Sequence, residues 1–240
     1  MKWVRGLAMR MAALLPLILL TAAAVPDDSR SYMVTGFDRV RVDGPFQVEI
    51  VPGSNGASAE GDPAALDRLS VRVSGSTLIV NSGTAGFQRR MGDAPEATRI
   101  RISAPSLRGL TSNGGARIHV AEMRAARIEI GLQGNGAIDI AGIRADNLTA
   151  THFGMGLLKL GGTARQVRVQ GALSGTVDAT GLVADDANLL WQSTGALTIG
   201  VRYTAQISGP GPGPIAILGK PLCTIRTPAP VTCEGTIERR

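Results

Sequence analysis

Hydrophobic and polar residues alternate in short triplets along much of the chain, and the triplets recur at a nearly constant spacing. The triplet IHV at 118–120 is followed by IDI, LKL, VDA, LTI and IAI, which begin at residues 138, 158, 177, 197 and 215. Successive offsets are therefore 20, 20, 19, 20 and 18 residues. An apolar-polar-apolar triplet is typical of a β-strand with one buried and one solvated face. The pattern predicts one such strand in each repeat.

A second set of triplets, IEI, LTA, VRV, ANL and QIS, starts at residues 128, 148, 167, 187 and 206. Each repeat therefore holds two short strands, with glycine corners between them, such as GNG at 134–136. Units this short cannot bury their apolar faces alone, but parallel stacking of equivalent strands builds a continuous core. The sequence predicts an all-β fold, a parallel β-solenoid with coils of about 20 residues, right-handed by the usual crossover preference. A two-sheet sandwich does not explain so regular a spacing.

The same alternation sets the expected domain boundaries. The solenoid is predicted over 37–220, with irregular first coils at 37–105 and regular repeats at 106–220. Residues 25–36 are expected to form a polar leader, and 81–97 an exposed loop. The inward positions of the regular repeats are Ile118, Ile138, Leu158, Val177, Leu197 and Ile215, each followed two residues later by a second apolar or small residue.

Residues 1–24 have the composition of a secretory signal peptide. Three basic residues precede an apolar run from Met11 to Leu20, which ends in small residues. The run is short against the roughly 20 apolar residues that a spanning helix needs. We expect cleavage to leave a mature chain without a transmembrane segment, exported to the periplasm or to the cell surface and exterior.

The chain has two cysteines, Cys223 and Cys233, near its C-terminus. An exported protein matures in an oxidising compartment, so a disulfide between them is expected to pin a capping tail over 221–240. A metal site is the alternative, but zinc needs four ligands and no histidine lies near these cysteines in the sequence. We expect no metal.

Three stretches make the chain resemble the putative auto-transporter adhesin, head GIN domain family of exported bacterial proteins. They are GFDRVRVDGPFQVEIVPG at 36–53, VRVSGSTLIV at 71–80, and the glycine corners that precede the later triplets. The resemblance covers about residues 36–220 and implies a parallel β-solenoid with an adhesin-like role. It implies no particular catalytic or binding residue.

The distribution of charge argues against a nucleic-acid partner, and the glycine pattern argues against a dinucleotide cofactor. Without residues 1–24 the chain keeps 22 basic and 19 acidic residues, a net charge of +3, and the basic residues are spread along it. No basic run is interleaved with aromatics, so nucleic acid is not an expected partner. The glycine corners lead into strands instead of a helix and lack the third glycine of a dinucleotide loop, so we expect no cofactor.

The outward positions of the repeats offer the main alternative to a binding role. Parallel β-helix enzymes that cleave acidic polysaccharides carry carboxylates and basic residues on adjacent rungs, and here Asp139, Lys159, Asp178 and Arg168 are the candidates. The two aspartates are predicted two rungs apart, about 9.5 Å, with Lys159 between them. Alternating signs on neighbouring rungs are also what a solvated ladder needs for stability. His119 is a weaker candidate base, with no nucleophile on its ladder.

We therefore expect an exported, non-enzymatic module that contacts an envelope component, a surface polysaccharide or a protein. A polysaccharide lyase or hydrolase that uses the four residues above is the alternative, and a solenoid stalk without a ligand is a third possibility. Trp191 is expected to pack in the core, because aromatic residues are too few for a sugar-stacking surface.

Overall fold

The computed structural model describes residues 28–83 and 98–239. The expected signal peptide and most of the 81–97 loop lie outside these residues. The described part contains one helix, α1 (Pro63–Arg68), and 18 strands. The strands are β1 (Asp28–Tyr32), β2 (Arg39–Asp43), β3 (Gln47–Pro52), β4 (Gly56–Gly61), β5 (Leu69–Ser74), β6 (Thr77–Ser82), β7 (Arg99–Ala104), β8 (Gly109–Asn113), β9 (Arg117–Arg124), β10 (Arg127–Gly134), β11 (Ala137–Gly154), β12 (Leu157–Leu173), β13 (Thr176–Ser193), β14 (Leu197–Ser208), β15 (Ile215–Leu218), β16 (Leu222–Arg226), β17 (Val231–Cys233) and β18 (Thr236–Arg239).

The strands stack in parallel into a β-solenoid of about 6 turns, with equivalent positions about 20 residues apart. This confirms the predicted fold class. The long strands β11 to β14 each cover two sides of a coil, since β11 pairs with both β9 and β10. We call the two stacks of paired strands ladder A and ladder B. Ladder A runs in the order β1, β4, β7, β3, β9, the first parts of β11 to β14, β15 and β17. Ladder B runs in the order β5, β6, β2, β8, β10, the second parts of β11 to β14, β16 and β18.

The core lies between the ladders and is built from the predicted inward positions. Ile118 pairs in register with Ile138, which pairs with Leu158, and the series continues to Ile215. All of these side chains are buried. Trp191 is also buried, and its Nε1 donates a hydrogen bond to the Gly195 carbonyl at 3.0 Å. Its predicted place in the core is confirmed.

Glycine is required at the corners mainly because successive coils approach each other closely. Gly154 has a φ of 153°, in a region that side chains rarely adopt. A Cβ atom at Gly156 would overlap the carbonyl oxygen of Gly136, although Gly156 has no positive φ. Glycine is therefore required for backbone conformation at Gly154 and for lack of space at Gly156.

The first coils do not stack in sequence order. The β2–β3 coil lies between the β6–β7 coil and the β8–β9 coil, so the earliest coil has two later coils as neighbours. Beyond β6 and β7 the ladders end in antiparallel strands, because β5 pairs with β6, and β4 pairs with β7 and β1. These three strands and α1 form the N-terminal end of the solenoid.

Part of the predicted polar leader, 25–36, is a strand. Residues 28–32 form β1 and pair with residues 57–61 of β4. The segment is polar because it is an outermost strand with little buried surface. Backbone hydrogen bonds to β4 hold it in place, and a pattern of hydrophobic residues does not predict such bonds.

The predicted tail, 221–240, continues the solenoid instead of only capping it. β16 and β18 extend ladder B, and β17 extends ladder A. The predicted disulfide is present: Cys223 on β16 is bonded to Cys233 on β17, with their Cα atoms 6.7 Å apart. The bond links the two ladders at the C-terminal end.

Candidate functional site

An alternating row of charged residues crosses the outer face of ladder A. In register order it contains Arg101, Glu49, His119, Asp139, Lys159 and Asp178, one from each of six neighbouring strands. We call this set the charged row. Neighbouring members lie about 4.8 Å apart along the sheet, so each charge faces one of opposite sign, or a histidine, on the next strand.

Neighbouring side chains of opposite charge within the charged row contact each other. An Arg101 Nη1 lies 3.3 Å from Glu49 Oε2, and His119 Nδ1 lies 3.7 Å from Asp139 Oδ2. All four side chains are about half exposed, which limits the stabilisation from each pair to about 1 kcal/mol or less.

Asp178 is held in its ionised form. The Thr180 hydroxyl and backbone N–H donate to its Oδ1 at 2.7 and 3.1 Å. These two hydrogen bonds, and then the positive charge of Lys159, keep the pKa of Asp178 below its ordinary value. A carboxyl group with a lowered pKa is poorly suited to donate a proton as a general acid.

The structure brings three of the four sequence-derived candidates together. Asp139, Lys159 and Asp178 are adjacent in register, with the lysine between the carboxylates as predicted. Arg168 does not join them, because it lies on ladder B between Thr149 and Asn188. The outward faces of the two ladders point away from the shared core. Arg168 therefore lies on a different surface from Asp139, Lys159 and Asp178.

An open groove with a volume of about 560 Å³ lies on ladder A over the first coils. Arg99, Gln47 and Arg117 lie side by side on β7, β3 and β9 along this groove, next to the charged row. Among the described residues, the guanidinium groups of Arg99 and Arg117 have no ion pair or hydrogen bond. The repeat pattern in the sequence does not reveal this set, because its members come from coils that are not consecutive in the sequence.

A second depression, of about 540 Å³, lies on ladder B above Gly109 and Gly131. Arg39 extends over Gly109 and donates to Glu129 at 2.9 Å, so its charge is already paired. This depression therefore has less unsatisfied charge to offer a ligand than the groove on ladder A.

His152 occupies an interior position that the sequence did not indicate. Its side chain is 1% exposed, and the ring packs beneath Gly175 of the next coil. Neither ring nitrogen has a hydrogen-bond partner within the described part of the chain. Burial lowers the pKa of His152, so the neutral form is favoured.

Within 28–83 and 98–239, no three or more histidine, cysteine, aspartate or glutamate side chains are grouped to hold a metal ion. None of the described helical segments is long and apolar enough to cross a membrane.

The family described as "Putative auto-transporter adhesin, head GIN domain" has a sequence model that matches residues 36–221. The chain belongs to this family. The resemblance found in the sequence is thereby confirmed. Membership of the head GIN family supports an adhesin-like function, and together with the disulfide it indicates an exported protein.

Solved structures share the fold of this head GIN family member. A putative adhesin from Bacteroides fragilis has a TM-score of 0.77 at 20% identity, covering 90% of this chain and 98% of that one. A putative adhesin from Parabacteroides distasonis has a TM-score of 0.64 at 13% identity, covering 90% and 97%. A putative lipid binding protein from the same species has a TM-score of 0.61 at 18% identity, covering 89% and 96%. No curated protein matches the sequence.

Proposed function

We propose that the protein is an exported, non-enzymatic adhesin-like module that binds an acidic polysaccharide of the cell envelope or surface in the groove on ladder A. The observation that carries the proposal is the pair of guanidinium groups on either side of Gln47, those of Arg99 and Arg117, which make no ion pair or hydrogen bond among the described residues even though Glu60 lies opposite Arg99 in register. Guanidinium groups form bidentate hydrogen bonds with carboxylates and sulfates.

The spacing of the two arginines favours a repeating anion over a single one. They lie on strands two apart, and each strand spacing is about 4.8 Å, so the side chains start roughly 9.6 Å from each other. Side chains that extend in parallel from the sheet match the separate acidic groups of a polymer, whereas a single small anion would require both arginine side chains to bend toward each other. The amide of Gln47 between them is a donor and acceptor for hydroxyl groups.

The adjoining charged row supports a binding role better than catalysis. Lys159 occupies the position between the Asp139 and Asp178 carboxylates, where a substrate bond would have to lie. Asp178 stays ionised because of its Thr180 hydrogen bonds. His119 is half exposed, and its one ion pair among the described residues is the 3.7 Å contact with Asp139.

The test is retention of the mature chain, 25–240, on immobilised polygalacturonate, heparin and uncharged dextran. We expect retention by the two acidic polymers, weakening as salt rises, and none by dextran. The double variant Arg99→Gln/Arg117→Gln should bind about tenfold more weakly, since two surface charge contacts contribute about 0.7 kcal/mol each.

Arg168→Gln is the matched control, because it removes an equally unpartnered arginine from ladder B and should leave binding unchanged. Equal retention on dextran, or wild-type binding by the double variant, would contradict the proposal. New chain ends released from a polymer, and lost in Asp139→Asn/Asp178→Asn, would show an enzyme instead.

A further inference from the structure

The two edges of the solenoid differ sharply in charge. Where the chain passes from ladder A to ladder B, five successive segments each contain at least one charged residue: 121–126, 141–146, 161–165, 180–186 and 200–203. Where it passes from ladder B to ladder A, six successive segments contain none: 113–116, 133–137, 153–157, 172–176, 192–196 and 208–214. We call the uncharged side the glycine edge. It extends over five rung spacings, roughly 24 Å.

Four large apolar side chains project from the middle of the glycine edge. Phe153, Met155, Leu157 and Leu173 are 44, 71, 43 and 65% exposed. They are neighbours, because Leu173 is opposite Gly154 in the β11–β12 register. These four make up half of the exposed large hydrophobic residues in the described chain.

Leu173 is unusual in its backbone as well as its exposure. Its φ is 74°, the only positive value at a residue other than glycine within 28–83 and 98–239. The register places it after Gly134 and Gly154 on the two preceding coils, both of which have positive φ. Leucine is disfavoured in this conformation, and its exposed side chain gains no core packing in return. Fold stability therefore does not account for leucine at this position.

We propose that the glycine edge inserts its four apolar side chains into the surface of a lipid bilayer. Exposing about half of four large side chains leaves roughly 400 Å² of apolar area, taking ~200 Å² for each. A stable protein interface needs about 800 Å² from each partner, so a second copy is a poorer match. Neither the groove on ladder A nor the depression on ladder B is lined by any of the four side chains, which disfavours a bound peptide.

The chemistry around the patch suits the boundary between headgroups and acyl chains. Asn135, Ser174 and Thr194 lie on neighbouring coils of the same edge and carry no charge, so they hydrogen-bond to headgroups or water at little cost. The opposite edge, with residues such as Arg144 and Asp185, would incur a large desolvation penalty in the same position.

Bilayer contact through the glycine edge is independent of the function proposed above. The groove with Arg99 and Arg117 lies on the outer face of ladder A over the first coils, whereas the patch lies on an edge at β11 and β12. Failure of either proposal leaves the other intact.

The experiment is flotation of the mature chain with two kinds of vesicle, one of phosphatidylcholine alone and one of phosphatidylethanolamine with phosphatidylglycerol. We expect flotation with both, little changed by salt, because apolar burial and not charge drives it. Met155→Ser and Leu173→Gly should each reduce the partition coefficient about tenfold.

Two features of the chain make the test specific. Met33→Ser removes a second exposed methionine, one outside the glycine edge, and should leave flotation unchanged. Leu173→Gly places glycine where φ is positive, so it should not lower stability even as it lowers binding.

The proposal is overturned if the wild type floats with neither vesicle, or if Met33→Ser loses as much binding as Met155→Ser. Concentration-dependent self-association, abolished by Met155→Ser and accompanied by no flotation, would assign the patch to a second copy instead.

Discussion

Gly195 lies at a corner where successive coils are too close for a side chain, which makes Gly195→Ala an informative perturbation. Its φ is not positive, so alanine is conformationally acceptable there. A Cβ atom would nevertheless overlap the Gly175 carbonyl oxygen and lie 2.7 Å from that of Ser174. The coils would have to separate locally, straining the 2.8 Å hydrogen bond from the Thr194 N–H to the Leu173 carbonyl.

The expected loss can be worked out from these contacts. Overpacking a tightly packed region costs about 2 kcal/mol, and weakening one backbone hydrogen bond adds about 1 kcal/mol. We therefore expect Gly195→Ala to lower the free energy of unfolding by about 3 kcal/mol. Gly131→Ala is the matched control, because its Cβ would lie 3.6 Å from Thr111, an ordinary contact, and its φ is also not positive. The control should gain about 0.5 kcal/mol through the unfolded state.

The assay is urea unfolding of the mature chain, followed by the fluorescence of Trp191, its one tryptophan after removal of 1–24. The probe is well placed, because Trp191 Nε1 donates to the Gly195 carbonyl. The reasoning is refuted if Gly195→Ala and Gly131→Ala unfold at the same urea concentration with the same slope.

Three further predictions concern single groups. Because burial lowers the pKa of His152, the unfolded state takes up a proton that the folded state resists, so stability should be constant above pH 7.5 and fall as pH drops through about 6.5. Urea midpoints from pH 8 to 5 measure this, and His152→Leu should remove that component. Thr180→Val removes the hydroxyl donor and keeps the backbone N–H, so it should raise the pKa of Asp178 toward its ordinary value, as followed by NMR titration of the carboxyl carbon; an unchanged pKa would show that the hydroxyl hydrogen bond does not lower it. Cys223→Ala/Cys233→Ala should lose about 2.5 kcal/mol in urea unfolding, the loop-closure value for a 10-residue separation, and wild-type stability in the double variant would argue against that contribution.

The regular coils could be predicted because the pairing partner of each strand lies one repeat away in the sequence. Each triplet pairs with the triplet one repeat later, so a constant spacing specifies both the strand and its partner. The alternation also identified which side chains face outward, and the placement of Lys159 between Asp139 and Asp178 followed from it.

The candidate groove could not be predicted, because it depends on pairings that spacing does not encode. Arg99 and Arg117 flank Gln47 only because β3 lies between β7 and β9. Gln47 precedes Arg99 by 52 residues in the sequence, and no periodicity connects them. The same holds for β1, whose place beside β4 comes from backbone hydrogen bonding and leaves no hydrophobic signature.

The stacking order of the first coils also constrains how the chain acquires its structure. Residues 37–53 form the coil that leaves the exporting machinery first, yet both of its neighbours are built from residues 77–120. From β9 onward, by contrast, every coil packs on the one immediately before it. We therefore expect the repeats to nucleate first and to grow toward the C-terminus, with the N-terminal end closing last as a slow, long-range step. A chain interrupted before residue 77 would leave β2 and β3 without either of these neighbouring coils and exposed to proteolysis.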